Sequence, residues 1–165
     1  DMDEDEKKAL AEDLGVACIK YADLSCHRTG DYTFSYDRML RFDGNTASYL
    51  LYSFVRIQGI KRKIGQRADE LLKQSKAQLK HPAEMGLGLH IARFQEMLLD
   101  VEQDLLPHQL TEYLFELAEK FNVFFRDCRV EGSQEEGARL VLVEASGKIL
   151  KSGLGILGIN TVDMM

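Results

Sequence analysis

Apolar residues recur at alternating intervals of four and three in three successive stretches of this chain, residues 87–105, 110–128 and 140–157. Since an α-helix has about 3.6 residues per turn, this spacing places the apolar side chains of each stretch on one helical face. An amphipathic helix must bury that face, and three in succession can bury theirs against one another. The pattern therefore predicts an all-α fold, an antiparallel helical bundle with short loops.

Capping and breaking residues predict where the helices begin and end. We expect five main helices over residues 46–64, 67–79, 83–105, 107–128 and 134–157. Thr46 or Asn45 is suited to cap the first of these, and Pro107 suits the first turn of the fourth. Ser133 followed by Glu136 is typical of a capping box before the fifth.

The N-terminal 43 residues have a less regular pattern. Residues 5–24 are predicted to be helical with an interruption near Gly15, and Ser35 is predicted to cap a short turn of helix over residues 36–42. Only residues 32–35 alternate in a way that would suit a strand. This region is therefore expected to form a short connector in front of the bundle.

Composition and motifs exclude several classes of protein. No apolar run is long enough to span a membrane, and the acidic start is unlike a signal peptide, so we expect no membrane partner. Three cysteines without paired spacing argue against a disulfide framework and favour a reducing compartment. Cys26 and His27 are adjacent, but no further ligand spacing completes a zinc site, so no metal site is expected. Phosphate-binding loops and nucleophile elbows are also absent from the sequence.

Positive charge is concentrated in one segment of an acidic chain. Residues 56–80 hold eight Lys or Arg and two acidic residues, although the net charge of the chain is −6. Such a segment could meet the phosphates of a nucleic acid, and Lys61, Arg62 and Lys63 are candidate phosphate ligands. The alternative is a solvated helix face, because these side chains point in several directions.

The helix predicted after Gly44 has a second face besides its apolar one. Tyr49, Tyr52, Arg56 and Lys63 lie on this face at helical spacing. Aromatic rings stack on unpaired bases and cations bind phosphate, so the pattern is typical of a surface for single-stranded nucleic acid. The alternative is that one or both tyrosines pack against a neighbouring helix and leave only the hydroxyl in water. Spacing alone does not decide between these interpretations.

Residues 19–58 read IKYADLSCHRTGDYTFSYDRMLRFDGNTASYLLYSFVRIQ. This order resembles the C-terminal region of the arginyl-tRNA synthetase family, class I enzymes in which a KYADLS segment leads into GNTA and then YL. Two later stretches, LLPHQLTEYLFELAEKFNVFFRDC and RLVLVEASGKILKSGLGILGI, are similar to the penultimate and last helices of that family. The resemblance extends from residue 14 to residue 165.

The resemblance implies where an anticodon would bind. In the family the GNTA helix opens an all-helical DALR anticodon-binding domain, and the preceding loop and aromatic residues of the bundle hold the anticodon loop. The last residue of the family's chain also reaches the anticodon pocket and usually follows an Arg, whereas Met164 stands before the last residue here. The candidate anticodon-binding residues are Met39, Phe42, Asp43, Gly44, Asn45, Tyr49, Tyr52, Arg56 and Met165.

The resemblance also implies a division of labour. Residues 1–43 would be a connector at the end of a catalytic region, and residues 44–165 the anticodon-binding bundle of a cytosolic, eukaryotic-type arginine–tRNA ligase. That enzyme attaches arginine to tRNA(Arg) with ATP. The chain opens on DMDEDE and lacks the ATP-binding signatures of class I synthetases, so it is interpreted as a piece of a longer protein. We expect ATP and arginine to bind the absent catalytic domain, no cofactor in this fragment, and no aminoacylation by it alone.

The expected partners are tRNA(Arg), the protein's own catalytic domain and a multisynthetase complex, in the cytoplasm and without DNA. A second hypothesis is a helical protein-interaction module that docks to the catalytic domain or to such an assembly through the acidic segment after residue 80. A third is the related bundle of another class I synthetase, such as the cysteinyl enzyme, against which the KYADLS and GNTA segments argue.

Overall fold

The computed structural model describes residues 2–165, and within them it contains only helices, turns and irregular segments. The eight helices are α1 Glu4–Leu24, α2 Tyr36–Met39, α3 Ala47–Ile64, α4 Arg67–Gln74, α5 Pro82–Ala92, α6 Phe94–Asp104, α7 Pro107–Asp127 and α8 Glu136–Ile156. The all-α prediction is confirmed. None of the helices described is long and apolar enough to cross a membrane.

Helices α3, α7 and α8 form the centre of the bundle, and each packs against the other two. The predicted stripes over residues 110–128 and 140–157 lie in this centre, and side chains such as Leu50, Ile57, Leu117 and Leu150 are fully buried. The predicted stripe over residues 87–105 is only partly buried, because α6 has no buried side chain and Leu105 is 65% exposed. Helix α1 packs on α3 and α7, α5 on α7 and α8, α4 on α8, and α6 on α7. The core is therefore continuous from the N-terminal helix to the last one.

Two pairs of helices show how the directions alternate. Lys61 contacts Glu144, and a Cβ on Gly147 would lie 2.9 Å from Ile57, so residue numbers fall along α8 as they rise along α3, and the two helices are antiparallel. Contacts between α3 and α7 rise together, from Tyr49 with Phe115 onward, so this pair runs parallel. The beginnings of α3 and α7 consequently lie at the same end of the bundle.

Three details of the predicted boundaries were wrong. Helix α1 passes through Gly15 without interruption, α4 ends at Gln74, and the predicted helix over residues 83–105 is divided at Arg93. At this division the Tyr113 hydroxyl donates to the carbonyl oxygen of His90 at 2.7 Å, and the Arg93 N–H donates to the same oxygen. A side chain of another helix thus supplies a hydrogen bond at the break. The spacing of apolar residues within one segment cannot predict such a contact.

The expected capping box before α8 is also absent. The Ser133 hydroxyl donates to the backbone oxygen of Val130, and the Glu136 carboxylate accepts a hydrogen bond from the Gly132 N–H instead. The cap before α3 is as predicted, since the Thr46 hydroxyl accepts from the Tyr49 N–H and the helix ends at Gly65. Ser35 precedes α2 without a side-chain cap.

The extended segment between α4 and α5 is fixed by one buried carboxylate. Glu84 is fully buried and accepts hydrogen bonds from the N–H groups of Lys80 and His81 and from Arg139 Nε at 2.7 Å. Burial alone would raise the pKa of Glu84, but these three donors outweigh it and hold the pKa below its usual value. An ion pair between α5 and α8 therefore determines where the chain enters α5.

Candidate nucleic-acid interface

The parallel helices α3 and α7 pack against each other, and Tyr49 lies where they meet. The half-buried Tyr49 ring lies 5.8 Å from the Phe115 ring of α7, measured between centroids. Its hydroxyl donates to Glu119 at 2.7 Å and accepts a hydrogen bond from the Asn122 amide at 2.7 Å. The ring is thus partly packed and partly accessible, so each of the two interpretations of this tyrosine describes part of what the structure shows.

The environment of Tyr49 keeps its hydroxyl protonated. Partial burial is the largest influence on it, and the hydrogen bond to Glu119 adds to this, so together they raise the pKa of Tyr49 to about 12. The phenol is therefore neutral throughout the physiological pH range. A neutral ring avoids repulsion from the phosphates of a nucleic acid and can stack on a base.

Two turns further along, Arg56 is held between two aromatic rings. The guanidinium carbon lies 4.8 Å from the ring centroid of Tyr52 and 5.0 Å from that of Phe125. Arg56 also donates to the Asn122 amide oxygen at 2.6 Å and to the Tyr52 hydroxyl at 3.1 Å. Tyr52 and Phe125 are 42% and 41% exposed, so this stack presents both aromatic surface and positive charge to solvent.

The loop before α3 is anchored at one end and exposed in the middle. Met39 is buried, whereas Phe42 is 59% exposed. Arg41 and Asp43 form an exposed ion pair within the loop at 2.6 Å, and this pair lowers the pKa of Asp43. Gly44 has φ = 72°, a left-handed conformation that favours glycine. The loop is therefore held in place by the buried Met39 and exposes backbone groups and the Phe42 ring to solvent.

Asn45 joins this loop to α1 and α7. The Tyr21 hydroxyl lies 2.5 Å from Asn45 Oδ1 and 2.9 Å from the backbone oxygen of Thr111, and its proton is shared between these acceptors. A cavity of about 360 Å³ opens on one side of Asn45, between α1, residues 32–39 and the loop. A second, of about 390 Å³, lies on the other side and includes Phe115 in its lining. Because Phe115 also lies beside the Tyr49 ring, the loop and Tyr49 are neighbouring parts of one surface.

The three candidate phosphate ligands have different surroundings. Lys61 is paired with Glu144 of α8 at 2.6 Å, and Arg62 donates to the backbone oxygen of Asp163 at 3.0 Å. Burial would raise the pKa of Glu144, but Lys61 and Lys148 outweigh it and lower the pKa. Lys63 is exposed. The role of all three in phosphate binding stays a prediction, and Lys63 has the position best suited to it.

The end of the chain returns along α3. The contact between Arg62 and Asp163 holds the last residues beside the C-terminal part of this helix. Arg62 is thirteen residues beyond Tyr49, which corresponds to about 20 Å along a helix axis. Met165 is 37% exposed. Its placement in a pocket with Tyr49 stays a prediction.

Sequence reasoning missed the contribution of α7 to this surface. Phe115, Glu119, Asn122 and Phe125 line the side of α7 that faces Tyr49 and Arg56. They follow one another at intervals of four, three and three, next to the apolar stripe that was identified. In the sequence these four residues form a second stripe of aromatic and polar side chains on α7. The sequence does not indicate that this stripe faces α3.

Comparisons with known proteins agree with this architecture. The family model "DALR anticodon binding domain" matches residues 50–165, and the model "tRNA synthetases class I (R), catalytic domain" matches residues 1–36. Curated relatives include the arginine–tRNA ligases of Protochlamydia amoebophila, 58% identical, and Chlamydia caviae, 46% identical, both over the whole of this chain. The chain spans 28% and 29% of their respective lengths.

Solved structures give the same result. The arginyl-tRNA synthetase of Plasmodium falciparum superposes with a TM-score of 0.88 and 35% identity, over 95% of this chain and 28% of that one. The Thermus thermophilus arginyl-tRNA synthetase superposes with a TM-score of 0.86 and 26% identity, over all of this chain and 28% of that one. With a family model that matches well over half of its residues, this chain belongs to the DALR anticodon binding domain family.

Proposed function

We propose that this chain recognises the anticodon of tRNA(Arg) as the C-terminal part of an arginine–tRNA ligase. The observation that carries the proposal is the surface where Tyr49, Tyr52 and Arg56 of α3 meet α7. Tyr52, Arg56 and the whole of α7 lie within the residues matched by the DALR family model, which begins one residue after Tyr49. The names of the curated relatives support arginine as the amino acid. The complete ligase would attach arginine to its tRNA with ATP, in the cytoplasm.

The residues suggest how recognition would occur. Unstacked anticodon bases would stack on the rings of Tyr49 and Tyr52, while Arg56 binds a phosphate. All arginine codons share a central G, so the central anticodon base is always C. Backbone groups of the loop Met39–Asn45 would read the edge of that base, because its exposed N–H and C=O groups are fixed by the anchors at each end.

The domain boundary belongs to the same proposal. Residues 1–43 would connect the bundle to the catalytic part of the ligase, and residues 44–165 would form the anticodon-binding unit. The catalytic family model, which matches residues 1–36, supports this division. ATP and arginine would bind that catalytic part, and the connector would help to set the distance between the anticodon and the reactive end of the tRNA.

The first prediction concerns Tyr49. Replacing Tyr49 by Ala should weaken binding of tRNA(Arg) about 5- to 150-fold, because one base–aromatic stack is worth about 1–3 kcal/mol. Replacing the exposed Lys73 by Ala removes only a distant charge and should change the affinity far less. Fluorescence titration at low salt measures both. Equal, negligible effects of the two substitutions would contradict the assignment of Tyr49.

A second candidate function is protein docking. Helices α5 and α6 expose Met85, Leu89 and Leu99, which are 43%, 67% and 58% exposed, on the acidic part of the chain. Such a surface would suit the protein's own catalytic domain or a multisynthetase complex. A pulldown that resists ribonuclease and is lost on charge reversal after residue 80 would favour docking as the main role.

A further inference from the structure

Asn122 occupies the middle of a chain of hydrogen bonds that crosses from α7 to α3 and back. Its amide nitrogen donates to the Tyr49 hydroxyl at 2.7 Å, and its amide oxygen accepts from Arg56 Nη1 at 2.6 Å. The series continues at both ends, from Tyr49 to Glu119 and from Arg56 to Tyr52. One half-buried amide on α7 therefore contacts two of the residues proposed to bind the anticodon.

The direction of every bond in this series is determined by chemistry. A guanidinium group has only donors, so the side of the Asn122 amide that faces Arg56 must be its oxygen. The NH₂ group then faces Tyr49, whose hydroxyl must accept from it and donate to the Glu119 carboxylate. The opposite amide orientation would place donor against donor at Arg56, so the assignment is not ambiguous.

This polarity leaves specific groups available to a ligand. Arg56 uses two of its five N–H donors within the series, so three remain for phosphate. The Tyr52 hydroxyl accepts from Arg56, so its own proton is free to donate to a base or phosphate. Both the ring of Tyr49 and the guanidinium of Arg56 are held in place before any RNA arrives.

We propose that Asn122 is a positioning residue for RNA binding: its amide fixes the Tyr49 ring and the Arg56 guanidinium in the orientation that accepts unstacked bases and phosphate. This inference rests on the function proposed above and deepens it. Since side chains that are already ordered need not be immobilised on binding, the amide should raise affinity without touching RNA itself.

The test replaces the amide by an apolar group of similar size. In Asn122→Leu, binding of tRNA(Arg) should weaken about tenfold, because two long side chains must then be ordered on binding. The matched control is Gln95→Leu, which changes an exposed amide on α6 and should leave the affinity unchanged. Helical circular dichroism and the melting temperature establish that each variant is folded. If the Leu variant is not folded, Asn122→Ala, which removes both the donor to Tyr49 and the acceptor for Arg56, takes its place.

A second measurement needs no RNA. In ¹⁵N NMR spectra of the free chain, hindered rotation of the Arg56 guanidinium should give separate Nη signals, identified by their loss in Arg56→Lys. These signals should merge in Asn122→Leu and stay unchanged in Gln95→Leu. Persistent separate signals in the Leu variant, or tRNA affinity within twofold of the native chain, would overturn the inference.

The two measurements separate this inference from the proposed function. If the native chain does not distinguish tRNA(Arg) from a tRNA altered at the central anticodon base, the proposed function fails, and a role of Asn122 in RNA recognition fails with it. If the native chain distinguishes them and the Leu variant binds equally well, the function stands and only the positioning role is overturned.

Discussion

Replacing Arg139 by Met should lower the free energy of unfolding by about 3–5 kcal/mol at pH 7, because it leaves the Glu84 carboxylate buried without its cation. Glu84 is fully buried, and Arg139 Nε is 2.7 Å from its oxygen. Arg139 also donates to the backbone oxygen of Arg129 at 2.8 Å, and that bond is lost as well. Urea unfolding followed by circular dichroism measures the change.

The pH dependence of this effect has a definite sign. The folded-state pKa of Glu84 is lowered, so its contribution to stability is complete above the ordinary glutamate pKa, about 4.3, and is lost as pH falls through the folded-state value. Without Arg139 the folded-state pKa rises. The stability difference between native and variant chains should therefore narrow as the pH falls from 7 towards 4.

The control for this prediction is Arg93→Met. The Arg93 side chain is 73% exposed and its contact with Glu96 is 3.5 Å, so its loss should change stability by no more than about 0.5 kcal/mol. A loss in Arg139→Met that equals that of the control, or that does not vary with pH, would show that the buried ion pair contributes little.

The second large effect is expected where Leu114 of α7 packs against Gly153 of α8. Replacing the fully buried Leu114 by Ala should destabilise the chain by about 2–5 kcal/mol through loss of burial and the cavity left behind. A Cβ atom on Gly153 would lie 2.6 and 2.9 Å from the two methyl carbons of Leu114. Gly153→Ala should therefore destabilise by about 1–3 kcal/mol through overpacking, less the small gain from alanine's helix propensity.

The double variant distinguishes packing from other causes. With Leu114 shortened, the new methyl group of Gly153→Ala occupies part of the vacated space, so the combined loss should be smaller than the sum of the single losses. Gly59→Ala is the control, since a Cβ there meets no atom within 4 Å and should stabilise α3 by about 0.5–1 kcal/mol. Additive losses would mean that these two side chains do not share one packing site.

Local signals in the sequence were sufficient for much of the fold. The Thr46 cap, Gly65 and Pro107 determine helix ends through interactions within a few residues, so the bounds of α3 and the start of α7 were predicted correctly. The apolar stripes of α7 and α8 are buried as expected, because helical spacing alone decides which side chains share a face.

The features that sequence reasoning missed depend on distant residues. At the division of the helix near Arg93, a hydrogen bond comes from Tyr113, twenty residues away. Helix α4 ends early because the segment after it is held by hydrogen bonds to Glu84. The same limit applied to the candidate interface: Tyr49 and Arg56 were identified from α3, but Asn122, which holds both, belongs to another helix. Only the parallel packing of α3 and α7 brings these groups together.

Anticodon recognition by this chain can be decided by one titration. The chain is titrated at low salt with labelled tRNA(Arg) and with the same tRNA changed only at the central anticodon base. If the proposed function is correct, the single base change should weaken binding by at least about 1 kcal/mol or fivefold, as for loss of one base-specific contact. Equal affinity for the two tRNAs would reduce the interaction to phosphate attraction and would rule out anticodon recognition by this chain.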